Sequence, residues 1–225
     1  MNIVITGTSS GIGKELVLQF LNSTLVSKVY ACTSSNPTLD FGDDRVEVVH
    51  LDFLNANSIA RFEKKISVSG IDLLINNAGY LQSFSFEDGS IDEVRKMFEV
   101  NYFGPYQLIQ ALSPYLIKAQ GQVINIGSMG GFQGSLKFSG LAAYSNSKSA
   151  VASLSECLAE EFKNKNVNVN CLALGAVDTE MLKKAFPDYQ SGTSAKEIAA
   201  FVKGFSESSG KLFNGKVIPV SKTTP

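Results

Sequence analysis

The sequence predicts a three-layer α/β fold around a doubly wound, parallel sheet of about seven strands. Three observations carry this expectation. Seven short apolar runs recur along the 225 residues, helical patterns separate most of them, and three glycines (Gly7, Gly11, Gly13) follow the first run directly. Runs that are almost continuously apolar fit strands covered on both faces. Strand–helix alternation then calls for right-handed crossovers and a parallel sheet.

The strand candidates are residues 2–6 (NIVIT), 28–33 (KVYACT), 46–52 (VEVVHLD), 71–78 (IDLLINNA), 122–128 (QVINIGS), 167–174 (VNVNCLAL) and 216–221 (KVIPVS). Helices are expected near 12–22, 55–67, 91–118, 144–163 and 195–206, with Asn55, Ser90 and Ser194 as N-cap candidates. No repeat or linker divides residues 1–225, so one domain is expected. The irregular stretches 129–140 and 182–194 follow strand ends, where open α/β sheets bind ligands.

Composition narrows the function. Hydrophobic residues make up 44% and charged residues 18%, an ordinary globular balance. A formal net charge of −1 gives no electrostatic footprint for nucleic acid or an anionic membrane. No apolar run spans a bilayer, and the first residues lack a basic signal-peptide region, so a cytoplasmic protein is expected. Cys32, Cys157 and Cys171 are scattered and read as reduced, buried thiols. The one histidine, His50, reads as a strand residue, and no metal site is expected.

The stretch TGTSSGIG (6–13) lies between a strand and a helix, where glycines let the backbone turn tightly and approach a diphosphate. "GIGKE" invites a P-loop reading. It fails because Thr8 replaces the first glycine and Glu15 the metal-binding hydroxyl. Further along, Tyr144 and Lys148 in YSNSK are four apart and share a helix face. An ammonium about 4 Å from a phenol, at an effective dielectric of about 20, is worth ~4 kcal/mol and would draw the phenol toward neutral pH. Ser128 ends one strand at the same sheet edge, NNAG (76–79) closes another, and NYFG (101–104) supplies Asn101.

Taken in this order, TGTSSGIG, Asp52 in LDF, NNAG, NYFG, INIGS, YSNSK and VNVNCLALGAVDTEM resemble the short-chain dehydrogenases/reductases in their compact, Rossmann-like, single-domain branch. The resemblance implies an NAD(P)-dependent oxidoreductase interconverting a carbonyl and an alcohol. It implies Tyr144 as proton donor or base, Lys148 lowering its pKa and binding the nicotinamide ribose, Ser128 holding the substrate oxygen, and Asn101 anchoring a relay water. Gly7, Ser9, Ser10, Gly11, Ile12 and Gly13 would border the diphosphate. Asp52 and Phe53 would meet the adenine, and Asn77, Ala78 and Gly79 the adenosine side. Val177 and Thr179 would meet the nicotinamide.

The sequence departs from the family pattern in four places. Leu174 stands where a proline is frequent, which would loosen the loop to Thr179. The Ser128–Tyr144 gap is a few residues long. The 182–194 lid is short, pointing to an open or loosely covered site, and little follows GKVIPVS. The second strand ends in Ser34, Ser35 and Asn36 without an acid. That favours NADP(H) over NAD(H), with Ser10 and Lys14 as possible contributors. Two rival functions are a catalytically silent NAD(P) sensor on the same fold and a nicotinamide-using epimerase or dehydratase. A sensor does not need all of Asn101, Ser128, Tyr144 and Lys148. A single domain leaves little room for a sugar-nucleotide module. Met129, Phe132, Phe138, Leu141, Met181 and Phe186 are candidate substrate contacts, and the outer faces of the 91–118 and 144–163 helices are candidate homodimer or homotetramer surfaces.

Overall fold

In the computed structural model, which describes residues 1–35, 38–209 and 212–222, all seven apolar runs pair in parallel. The strands are β1 Asn2–Thr6, β2 Lys28–Thr33, β3 Val46–His50, β4 Leu73–Asn76, β5 Gln122–Ser128, β6 Asn168–Leu174 and β7 Val217–Val220. Their spatial order is β3-β2-β1-β4-β5-β6-β7. The chain winds outward from β1 to β3, then returns to pair β4 on the other side of β1. That reversal leaves a crevice at the carboxyl ends of β1 and β4.

The helices are α1 Gly11–Leu21, α2 Ser58–Glu63, α3 Ile91–Phe98, α4 Gly104–Ala119, α5 Ala142–Glu161, α6 Glu180–Ala185 and α7 Ala195–Gly204. Successive strand residues feed opposite layers. Ile3 and Ile5 pack with Leu16 and Phe20 of α1 and Ile198 and Val202 of α7, whereas Val4 packs with Phe62 of α2 and Leu108 and Leu112 of α4. Burial on both faces explains why the runs lack polar alternation.

Several local expectations are met and others shift. Ser90 caps α3, and Ser194 forms a capping box with Glu197 on α7. Asn55 does not cap α2; Asn57 precedes it, and Asn55 instead accepts the Asn57 N–H within the turn. The region 91–118 is not one helix, because a π-helical turn at Glu99–Phe103 separates α3 from α4. Part of the supposedly irregular 182–194 stretch belongs to α6, capped by Thr179. Cys32 and Cys171 are buried free thiols, but Cys157 is exposed on α5. Among the described residues no helix is long and apolar enough to cross a membrane.

Candidate active site

At the β1/β4 crevice, the glycine turn is locked into its neighbours. Gly7 has φ +71°, and a Cβ there would lie 2.8 Å from Ala78 Cα. Gly13, in the first turn of α1, lies so close to the glycine turn that a Cβ would come within 2.1 Å of the Gly7 carbonyl oxygen. Asn77 completes the joint. Its Nδ2 donates to the carbonyls of Thr6 (2.9 Å) and Gly7 (3.1 Å), while the Asn77 and Ala78 N–H groups donate to Thr6 Oγ1. No side chain larger than hydrogen fits at Gly7 or Gly13 without moving backbone.

A cavity of about 800 Å³ opens over this joint and runs along the carboxyl edge of the sheet. Gly7, Ser9, Ser10, Gly11, Ile12, Ser34, Asp52, Phe53, Asn77, Ala78, Gly79, Val177 and Thr179 line it, with Ser128, Tyr144 and Lys148. Gly13 and Asn101 do not; both sit just behind the wall. Lys14 is exposed on α1 and does not face the cavity, and Asn36 lies outside the described residues.

Helix α5 presents Tyr144 and Lys148 on one face, while Ser128 ends β5 beside them. The half-buried Tyr144 phenol stands beside Ser128, and loss of solvation, outweighing the pull of the Ser128 hydroxyl, raises its pKa above the ordinary phenol value. Lys148, which is buried, is pushed down to about 8 by loss of solvation. Its Nζ donates to the Ile126 carbonyl at 2.8 Å. For Tyr144 the largest influence is loss of solvation rather than the Lys148 charge. Desolvation dominates both groups, and the lysine charge is turned toward β5. A phenol that keeps its proton at neutral pH is suited to giving it to a developing alkoxide.

The π turn carries Asn101 inward to 1% exposure. There its Nδ2 donates to Tyr80 O and Ser147 Oγ, both at 2.9 Å, and its Oδ1 accepts the Tyr80 N–H at 2.8 Å. The side chain thus clamps the strand exit after NNAG to α5. Ser147 Oγ in turn donates to Tyr144 O at 2.7 Å. A second buried chain runs parallel to it: Asn76 Nδ2 donates to Asn125 Oδ1, and Asn125 Nδ2 to Ser155 Oγ. The two chains fix β4, β5 and α5 relative to one another.

The family model for short chain dehydrogenases matches residues 1–190. A short-chain type dehydrogenase/reductase of Helicobacter pylori is 35% identical over 227 residues, spanning 96% of this chain and 80% of its own. The chain belongs to the short-chain dehydrogenase/reductase family. A 3-ketodihydrosphingosine reductase of Bacteroides thetaiotaomicron is 37% identical over 79% of this chain and 64% of its own. An NADPH-dependent 1-acyldihydroxyacetone phosphate reductase of Saccharomyces cerevisiae is 32% identical over 80% of this chain. The match spans only 62% of the yeast protein's length, and 58% of a mouse family member's. In fold, the chain resembles a 4-hydroxyisoleucine dehydrogenase mutant complexed with NADH and succinate (TM-score 0.88, 24% identity, 100% of this chain and 98% of that one). Membership of this family, with its dehydrogenase- and reductase-named relatives, makes the chain an NAD(P)-dependent oxidoreductase of carbonyl/alcohol pairs.

A nicotinamide dinucleotide fits what lines the family's crevice here. The Gly7–Gly13 cradle leaves backbone exposed where any Cβ would collide, and the N-terminus of the eleven-residue α1 faces the same space. Asp52 presents its carboxylate there while Oδ1 accepts the Leu54 N–H.

The far wall holds residues the sequence reading missed. Tyr80 lines the cavity, its hydroxyl donating to Glu93 Oε2 at 2.7 Å and its ring lying under Lys96 Nζ at 4.3 Å. Among the candidate substrate contacts, Met129, Phe138, Leu141, Met181 and Phe186 line the cavity, but Phe132 does not. Leu174 does not loosen its loop. It ends β6, Gly175 N–H donates to Val220 O, and Asp178 N–H donates to Thr193 O. Residues 180–193 do form a loose cover, with Met181 38% and Tyr189 53% exposed.

Proposed function

We propose that the protein reduces a carbonyl to an alcohol, or runs the reverse, with Tyr144 as the proton-transferring group and NADP(H) as the preferred cofactor. The observation that carries the reading is the joining of Ser128, Tyr144 and Lys148 to the glycine cradle across one cavity. When bound, the nicotinamide supplies or accepts the hydride. Ser128 holds the substrate oxygen as charge develops on it, and Tyr144 delivers the proton it retains at neutral pH. Lys148, anchored on Ile126 O, offers its remaining N–H groups to the cofactor ribose and the phenol. Asn101 acts on this chemistry by holding Tyr80 and Ser147, so a relay water would have to meet its main chain.

Support for NADP(H) comes from the end of β2. Ser34 and Ser10 face the cavity, and no carboxylate stands at Ser34 or Ser35 to repel a 2′-phosphate. Half-exposed Phe103 and Tyr106 at the start of α4 support a homo-oligomer built on that helix. A carbonyl panel followed by NADPH and NADH absorbance tests both parts. Turnover lost on Tyr144→Phe with cofactor binding kept is expected, whereas a higher kcat/KM with NADH would defeat the cofactor choice.

A further inference from the structure

The long Ser128–Tyr144 loop borders a second, half-open cavity of about 500 Å³ beside the first. Phe138 and Leu141 belong to the walls of both. Leu141 is buried and Phe138 is 51% exposed, so the two spaces adjoin with only the Phe138 and Leu141 side chains on their shared border. Phe84 and Phe86 form the opposite wall, and Ser145 and Asn146 of α5 the floor, directly after Tyr144 in sequence.

This space is built, not left over. Lys137 Nζ donates to Gly130 O (2.9 Å), Phe132 O (2.7 Å) and Ser135 Oγ (2.8 Å), which staples the extra residues of the loop into one shape. Ser149 Oγ ties α5 to Gly131 O at 2.7 Å, and Phe84 N–H ties the opposite wall to Gly140 O at 3.2 Å. The volume lies within the range of about 300–1,000 Å³ usual for small-molecule pockets. Phe84, Phe86, Phe138 and Leu141 offer apolar contact area, while Glu87 and the serines around them make the rest of the lining polar. Phe86, 83% exposed, stands uncovered at the mouth. The Lys137 ammonium is fully engaged and sets no unpaired cation against an apolar guest.

We infer that the second cavity takes the unbranched hydrocarbon arm of the substrate whose carbonyl is held by Ser128 and Tyr144. The protein is thus a reductase of long-chain carbonyl compounds. This rests on the reductase reading, and the test separates the two. Straight-chain aldehydes from propanal to dodecanal are assayed with NADPH and NADH. kcat/KM should rise about fourfold for each methylene added until the cavity is filled, then level off. Asn146→Trp, which fills the floor from an exposed helix position, and Phe86→Ser, which strips the mouth, should each cut the dodecanal-to-propanal ratio about tenfold or more. Propanal turnover measured alongside reports the fold of each variant. Turnover that is flat with chain length, or a ratio untouched by both variants, overturns the inference while leaving the reductase reading intact. No cofactor oxidation with any aldehyde would sink the reductase reading, and this inference with it.

Discussion

The two long walls of the main cavity are held by different means. Around Gly7, Gly13 and Asn77 the contacts are backbone to backbone or amide to carbonyl, and there is no room for a methyl group. Around Met181, Phe186 and Tyr189 the wall is a six-residue helix and a turn, half exposed and fastened at its base by Asp178 and Thr193. The first geometry can present a fixed set of N–H groups to one cofactor. The second can give way to substrates of different shape. Cofactor binding should therefore respond sharply to small changes in the first wall, and substrate KM only weakly to changes in the second.

The chemistry belongs to neither wall but to the α5 face between them, and its removal should have the largest effect. Tyr144→Phe keeps the ring and deletes only the proton donor. We expect kcat to fall roughly a thousandfold, with NADPH affinity, read by fluorescence titration, changed less than about threefold. Turnover retained in the variant would mean that another group gives the proton.

Gly13→Ala tests the rigid wall. The added methyl must displace the Gly7 carbonyl from 2.1 Å, and overpacking of this kind costs about 1–3 kcal/mol. A lower melting temperature and a tenfold or greater loss of cofactor affinity are expected. Gly11→Ala is the control. Its methyl would meet Thr179 Cγ2 at 3.4 Å, an ordinary contact, so only the strain of φ +54° remains, about 1 kcal/mol. Equal losses in the two variants would show that backbone freedom, not close packing, makes this wall.

Most of the first wall could be read from sequence, and little of the second. Buried parallel strands leave continuous apolar runs, Ser90 and Ser194 announce their helices, and glycines advertise a crowded turn. The π turn stayed hidden because EVNYF continues an apolar pattern without proline or glycine, so nothing local shows that the added residue swings Asn101 inward. Residues 180–185, with two lysines in six residues, lack the periodicity that marks a longer helix. The role of Lys137 was not legible in the 129–140 tract, since its three acceptors exist only once the loop has folded. The Tyr144–Lys148 spacing was plain, but the balance between their attraction and their desolvation is a property of depth, which spacing does not carry.

That balance has a thermodynamic consequence. Lys148 falls from its ordinary 10.5 to about 8 on folding. Below about pH 8 both folded and unfolded chains hold the proton, and the fold bears the cost of a buried charge. As pH rises from about 8 toward 10.5 the folded chain sheds the proton first, and the cost fades. Lys148→Met should therefore stabilise the protein at pH 7 by about 2 kcal/mol, after allowing for the donor lost to Ile126 O. The gain should shrink above pH 8 in denaturant titrations while activity is lost throughout. A gain independent of pH would assign it to packing alone.

The smallest effects belong to the lid, and they sharpen the contrast between the walls. The Lys183–Asp178 ion pair at 3.2 Å is 63% and 50% exposed, so Lys183→Ala should change stability by under about 1 kcal/mol. Phe186→Ala removes a cavity-lining ring that the core does not need. We expect substrate KM to rise a few fold, with kcat, cofactor affinity and melting temperature nearly unchanged. A lid that only adds contact area gives up ground-state and transition-state binding equally, which appears in KM alone. If kcat changed instead, opening of the 180–193 segment would be setting the turnover rate. The loosely held wall would then govern catalysis as strongly as the rigid one governs cofactor binding.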